Sequence, residues 1–200
     1  MSGDKNYFNF QNKIEPARGT MLISEPFLPD PNFVRTVILL CEHNQEGSFG
    51  FVLNKLSTFK LGDLVEEISG LSSAALSGIY YGGPVQQNTL HYIYRRKQYL
   101  DDSIEISDGL YWGGNYEQLL SMLKNNSIPP EDFKFFIGYS GWSPGQLNDE
   151  LGVNSWIVSR NFETGQVFDT QPSMLWKAAL ERLGGKFKVI STFPVDPRLN

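Results

Sequence analysis

Thiols and imidazoles are almost missing from this chain, which has one cysteine, Cys41, and two histidines, His43 and His91, among 200 residues. A lone cysteine excludes an internal disulfide framework and any zinc site built from several thiolates of one chain. A metal site on the two histidines would need carboxylates to complete it. Long apolar runs are lacking too. No stretch approaches the roughly 18 residues that span a bilayer, and the opening segment MSGDKNYFNFQNKIEP has no continuous apolar core of the signal-peptide kind, so a cytoplasmic location is expected. Positive charge is in short supply as well. The net charge is −5, with nine basic and nine acidic groups in the first hundred residues and eight against thirteen in the second. That balance argues against a broad phosphate-binding surface and leaves room for a local basic patch. Neither a G-x-x-x-x-G-K-[ST] loop nor a G-x-G-x-x-G fingerprint is found, so those kinds of nucleotide binding have no support.

What is present suffices for a core. With 40% hydrophobic and 14% aromatic residues, the chain buries enough apolar surface to offset its conformational entropy. The length suits one domain, and neither an internal repeat nor a linker divides it. The expected organisation is an arm over residues 1–18, with Phe8 and Phe10 as anchors, followed by a single domain over 19–200.

Local patterns predict an α+β fold. Strands are expected at 19–24, 35–42 and 49–54, the last two as a hairpin around the polar turn 43–48. Leu61, Leu64, Val65 and Ile68 predict a helix over 61–69. IYYGGPV and TLHYIYRR read as strands parted by a Gly-Pro turn, IEISDGLYWGG as one more strand, 116–124 as a helix, and 133–139 and 156–160 as strands. MLWKAALERL is a helix stopped at Gly184, and 186–193 reads as a final strand.

The most distinctive stretch is GYSGWSPGQLNDEL, residues 138–151. It encodes a strand, a tight turn and a helix start, with Ser143 as N-cap, Pro144 at the first helical position and Gln146 placed for a capping-box return. Ser140 invites comparison with the hydrolase elbow Gly-x-Ser-x-Gly, but Trp142 stands where the second glycine is required. Cys41 and His43, two apart on a strand, are expected on one face, Cys41 as packing and His43 at the turn. In TLHYIY, His91 and Ile93 are expected opposite Leu90, Tyr92 and Tyr94. Arg95, Arg96 and Lys97 form the one basic triplet, beside Tyr92, Tyr94 and Tyr99. Stacking and phosphate pairing would suit single-stranded nucleic acid there, while a solvated hairpin tip fits the acidic whole better.

Taken in order, GTMLISEPFLPDPNFVRTVILLCEHNQEGSFGFVLNK, GGPV, LH, GYSGWSPGQLNDEL, SWIV and FD before MLWKAAL resemble one family over about residues 19 to 185, the YqgE/AlgH family. The resemblance implies a compact α+β domain whose mostly antiparallel sheet bifurcates and folds as a pseudo-barrel with flanking helices. It brings a transcriptional-regulator label but implies no particular reaction and no cofactor. The family's recurring positions fall on Pro26, Asp30, Phe33, Arg35, His43, Gly50, Asn54, Gly82, Gly83, Pro84, His91, Gly138, Gly141, Trp142, Gly145, Gln146, Leu147, Glu150 and Trp156. Many relatives resemble GYAGW where this chain has GYSGW, which argues against Ser140 as a nucleophile.

The leading expectation is a binding or regulatory module for a protein or small-molecule ligand. Its surface would be formed by His43, Gly82, Gly83, Pro84, His91, Gly138, Tyr139, Gly141, Trp142, Gly145, Gln146 and Glu150, with Trp142 and Gln146 suited to recognition. The alternative is a hydrolase using His43 or His91 with Glu150. A third reading is direct DNA contact through Arg95, Arg96 and Lys97.

Overall fold

FKFFIGYSGW is apolar on both of its alternating faces, and a strand of that pattern has to be covered on both sides. In the computed structural model, which describes residues 14–71 and 78–195, this segment is the most connected strand of a largely antiparallel sheet. Ten strands are formed among the described residues: β1 (Met21–Ser24), β2 (Val37–Asn44), β3 (Gly47–Val52), β4 (Leu56–Lys60), β5 (Gly78–Tyr81), β6 (Val85–Arg95), β7 (Ile104–Ser107), β8 (Leu110–Trp112), β9 (Phe133–Trp142) and β10 (Trp156–Ser159). The main path runs β10-β1-β2-β3-β9-β6-β8-β7, with β4 on β5 and β5 on β9. Among the described residues no pairing joins its two ends, so the sheet is open.

The sheet forks at β9. One edge of β9 pairs with β6, whereas the other is divided: Phe135, Phe136 and Ile137 pair in parallel with β5, and Ser140, Gly141 and Trp142 antiparallel with β3. The division falls at Gly138, whose φ of +65° a side chain would resist. Gly82 bridges the gap, its N–H donating to the Ile137 carbonyl and its own carbonyl accepting from Val52 N–H, both at 2.9 Å. Ser140 Oγ donates to the same Gly82 carbonyl at 3.0 Å and is fully buried, which makes it part of the fork.

Six α-helices cover the sheet among the described residues: α1 (Leu61–Leu64), α2 (Tyr116–Lys124), α3 (Gln146–Gly152), α4 (Thr164–Asp169), α5 (Pro172–Leu183) and α6 (Gly185–Ile190). Leu175, Trp176, Ala179 and Leu180 of α5 bury one stripe against Ile23, Leu39, Phe51 and Phe136. Leu119, Leu120 and Leu123 of α2 pack on Tyr92, Tyr94, Phe133 and Phe135. A third cluster joins Leu22, Ile38, Leu40 and Val158 to Trp142, Leu147 and Trp156, with Ile14 packed on it. Phe8 and Phe10 lie outside the described residues. Among those described, no helix is long and apolar enough to cross a membrane.

Several expectations are corrected. Residues 186–193 are not a strand. Gly184 and Gly185, at φ +68° and +51°, turn the chain directly from α5 into α6, which keeps it in the helical layer, where Phe187 and Ile190 reach the core at helical spacing. The helix expected over 61–69 is one turn of α1, an extended Val65 and a 3₁₀ turn at Glu66–Ile68; Leu61, Val65 and Ile68 are buried, whereas Leu64, the fourth residue of the expected stripe, is 42% exposed. IEISDGLYWGG is a hairpin, because Asp108-Gly109, with Gly109 at φ +67°, reverses the chain between β7 and β8. The helix after Trp142 starts two residues later than expected, with Gly145 at the N-cap, yet Ser143 N–H still donates to Gln146 Oε1 at 3.1 Å. Cys41 and His43 do not share a face. A bulge between Leu40 and Glu42 breaks the alternation, so Cys41 enters the α5 cluster while His43 faces Leu147 and Asn148 of α3.

Candidate functional site

Beside the fork the β2–β3 hairpin, the first half of β6, the end of β9 and β8 enclose a cleft of about 640 Å³. Phe49, Trp112 and Tyr139 supply aromatic surface, Glu42, Asn44 and Glu46 supply polar groups from the hairpin, and His91 lines the wall beneath Val85. The rings brace one another: Phe49 meets Trp112 at 4.7 Å and Tyr139 at 6.0 Å between centroids, both edge to face. Asn44 Nδ2 donates to Glu42 Oε1 at 2.8 Å, which holds that carboxylate at the hairpin.

His91 stands on β6 opposite Phe136, with its ring against Phe51 at 5.4 Å and Tyr139 at 5.8 Å. The Thr89 hydroxyl donates to the Gln86 carbonyl at 2.7 Å, so the imidazole is assigned as donating Nε2–H to Thr89 Oγ1 at 2.9 Å. Nδ1 is then an acceptor. Burial lowers the His91 pKa, which favours the neutral ring at neutral pH.

The expected surface residues separate into three groups. His91, Tyr139, Gly141 and Trp142 line the cleft, and Gly82, Gly83 and Gly138 form the fork under it, with Pro84 exposed just before Val85. His43 and Gly145 instead line a smaller hollow of about 330 Å³, where His43 Nδ1 and Ser48 Oγ are 2.7 Å apart. Gln146 and Glu150, one turn apart on α3, form a bracket. Trp142 Nε1–H and Trp156 Nε1–H both donate to Glu150 Oε2, at 2.9 and 2.6 Å, and Gln146 Nε2 donates to Oε1 at 3.0 Å. Trp142 is 6% exposed, so most of its indole packs in the interior while its edge lines the cleft. Glu150 holds two indoles and lines neither cavity that contains a histidine. Among the described residues no three His, Cys, Asp or Glu side chains converge to hold a metal ion. Cys41 is buried, and desolvation raises its pKa well above the usual thiol range.

Two residues of the basic triplet are paired with acids, Arg95 at 13% and Arg96 at 60% side-chain exposure. Arg95 Nε and Arg96 Nε lie 3.2 and 2.8 Å from Asp132 Oδ1, Arg95 also pairs with Asp169 at 2.8 Å, and the Asp132 side chain is fully buried. Replacing both arginines by alanine should therefore cost about 3–5 kcal/mol, because it leaves a buried carboxylate with no counter-charge and only the Tyr99 hydroxyl as side-chain donor. Lys97→Ala should stay within about 0.5 kcal/mol. Urea denaturation of the two variants measures the difference, and equal small losses would show that water reaches Asp132.

Lys134 was not singled out from sequence, although its place in FKFFIGY, in register with Phe136, carries the signal of an inward residue. It is 4% exposed and lines a second cavity of about 860 Å³ with Tyr80, Phe133, Phe168 and Asp169. Its Nζ donates to the Val167 carbonyl at 2.9 Å and lies 4.0 Å from the Tyr80 ring centroid. Among the described residues it enters no ion pair. The ring face and the carbonyl favour the ammonium by about 1–3 kcal/mol each. Desolvation without a carboxylate opposes them and draws the pKa down to about 7.

Comparison with known proteins adds the following. The AlgH-like family model (DUF179) matches residues 21–188. A UPF0301 protein of Cytophaga hutchinsonii is 41% identical over 185 residues, which cover 92% of this chain and 99% of that one. A UPF0301 protein of Bacteroides thetaiotaomicron is 37% identical over 201 residues, covering all of both chains. Among solved structures, the AlgH protein of Pseudomonas aeruginosa superposes with a TM-score of 0.71 at 28% identity, covering 88% of this chain and 94% of that one. A Corynebacterium diphtheriae protein reaches 0.72 at 23% identity, covering 96% and 100%, a likeness of fold.

Proposed function

The chain belongs to the AlgH-like family, and from that premise we propose that it is a cytoplasmic binding module whose cleft receives a flat or cationic donor group, such as a guanidinium or ammonium, from a protein or small-molecule ligand. One observation carries the reading: Phe49, Trp112 and Tyr139 line one cleft of about 640 Å³ together with Glu42 and His91. Aromatic faces attract cations through their quadrupole, and a nearby carboxylate adds direct charge complementarity. The β2–β3 hairpin and the fork hold these groups on strands, which keeps the cleft in shape before a ligand arrives.

Binding is favoured over hydrolysis because Glu150 is engaged by two indoles and the His91 Nε2 side is engaged by Thr89. The regulatory label of the family is best served by contact with a ligand or protein partner. Direct nucleic-acid contact would have to draw mainly on Lys97, since Arg95 and Arg96 are paired with acids.

Titration calorimetry with arginine amide and spermidine, against glutamate as the anionic control, tests the proposal. The wild-type protein should bind the cations and not glutamate. Glu42→Gln and Trp112→Ala should each weaken binding by about tenfold, the loss of one charge-assisted or cation–π contact. Equal affinity for cation and anion, or unchanged affinity in both variants, would overturn it.

A further inference from the structure

The second cavity shares no lining residue with the cleft, and its polar feature of note is an amine. We propose that Lys134 is a covalent acceptor site, at which a small uncharged aldehyde or ketone entering the cavity condenses with Nζ to form an imine. This inference stands apart from the binding role of the cleft.

The geometry supplies what such a site requires. Nζ is held by one acceptor, the Val167 carbonyl, and lies over the face of Tyr80, so the amine is positioned within the cavity wall. Phe133 and Phe168 give the cavity apolar surface, which suits an uncharged carbonyl compound. The charged groups about the amine are acidic or already paired. Glu131 and Asp169 line the same cavity, and Asp169 is joined to Arg95, whose guanidinium stacks on Phe168 at 5.0 Å. An anionic substrate would meet those carboxylates. Tyr80, also facing the amine, has its pKa raised by burial and stays a neutral phenol.

With the amine drawn down to about 7, roughly half of Lys134 carries a free lone pair at neutral pH, against less than about one in a thousand for an ordinary lysine near 10.4. The ammonium gives its proton to solvent, and the Nζ lone pair attacks the carbonyl carbon to give a carbinolamine. A C=N bond then forms as the carbinolamine oxygen leaves with two hydrogens as water. The step is reversible by hydrolysis and needs no oxidant or reductant.

The first readout uses the folded wild-type protein alone. Propanal with cyanoborohydride at pH 7 converts any imine to a stable propylamine, which peptide mass spectrometry locates. Lys134 should be marked at least tenfold faster than any exposed lysine, with the preference falling away as the pH is raised to 10 and vanishing in denaturant. A second readout is the melting temperature of wild type relative to Lys134→Met. Lys134 is charged in both states below its folded pKa, and between that value and its unfolded pKa the unfolded chain binds more protons. Wild type should therefore gain on the variant as pH rises from 7 to 10. Marking of Lys134 no faster than surface lysines at pH 7, or no marking at all, would overturn the proposal.

Discussion

Gly83→Ala is expected to remove about 4 kcal/mol or more of stability, lowering the melting temperature by about 10 °C, the shift that a chain of this size gives for such a loss. A methyl group there would stand 2.3 Å from the Tyr139 carbonyl carbon and oxygen and 2.4 Å from Ser140 N, at a φ of +155°. All three obstacles are backbone, which cannot swing aside as the end of a side chain can. Relief would have to separate the Gly82-Gly83 segment from β9, and with it the Gly82 bonds to Ile137, Val52 and Ser140. The cleft should suffer along with the fold, since Val85 and Tyr139 are paired across the same junction. Gly152→Ala is the matched control. Its added methyl meets nothing within 4 Å, and it should stay within about 0.5 kcal/mol. Thermal melts of the two variants decide the matter, and a Gly83→Ala protein that melts with the wild type would mean that the fork tolerates separation.

Glu150→Ala should cost about 3–5 kcal/mol, because it orphans two indole N–H groups at once. Trp142 and Trp156 are 6% and 1% exposed, and both donate to the same carboxylate oxygen. A hydrogen bond to a charged group contributes about 1.5–3 kcal/mol, and a buried donor left without its partner carries its full desolvation penalty. The two rings also pack edge to face at 6.0 Å, so loosening one loosens the other. Glu150→Gln keeps an acceptor oxygen and should lose about half as much. Chemical denaturation followed by tryptophan emission reports both quantities, since the indoles concerned are the probes. A loss under about 1 kcal/mol for the alanine variant would show that water replaces the carboxylate.

Much of the fold was legible because it rests on short-range pattern. The β2–β3 hairpin follows from VILLC, a polar turn and FGFV, and α2 runs over 116–124 as its spacing required, with the Asn115 side chain accepting from Gln118 N–H at the N-cap. Alternation placed His91 and Ile93 opposite Tyr92 and Tyr94, and the structure has Ile93 in the α5 cluster with both tyrosines in the α2 cluster. Period alone misread KFKVISTF, where alternating apolar residues also satisfy a short helix once two glycines turn the chain. It misread the face of His43 because a bulge, set by the pairing partner, shifts the register by one. The helix Thr164–Asp169, closed by a Glu163–Gln166 capping box, passed unnoticed although its signature is local.

By itself the sequence determined the class of fold, the family, and the strands and helices with strong period. Those features depend on neighbours a few residues away or on composition. Only the tertiary structure decided that β9 serves three partners, that Glu150 braces two tryptophans, that Arg95 and Arg96 answer a buried Asp132, and that Lys134 stands in a cavity without a counter-ion among the described residues. Each of these depends on what lies across from a residue in space. Desolvation and pairing are set by partners outside the local period, from six residues away for Glu150 and Trp156 to 37 for Arg95 and Asp132, and no periodicity records them.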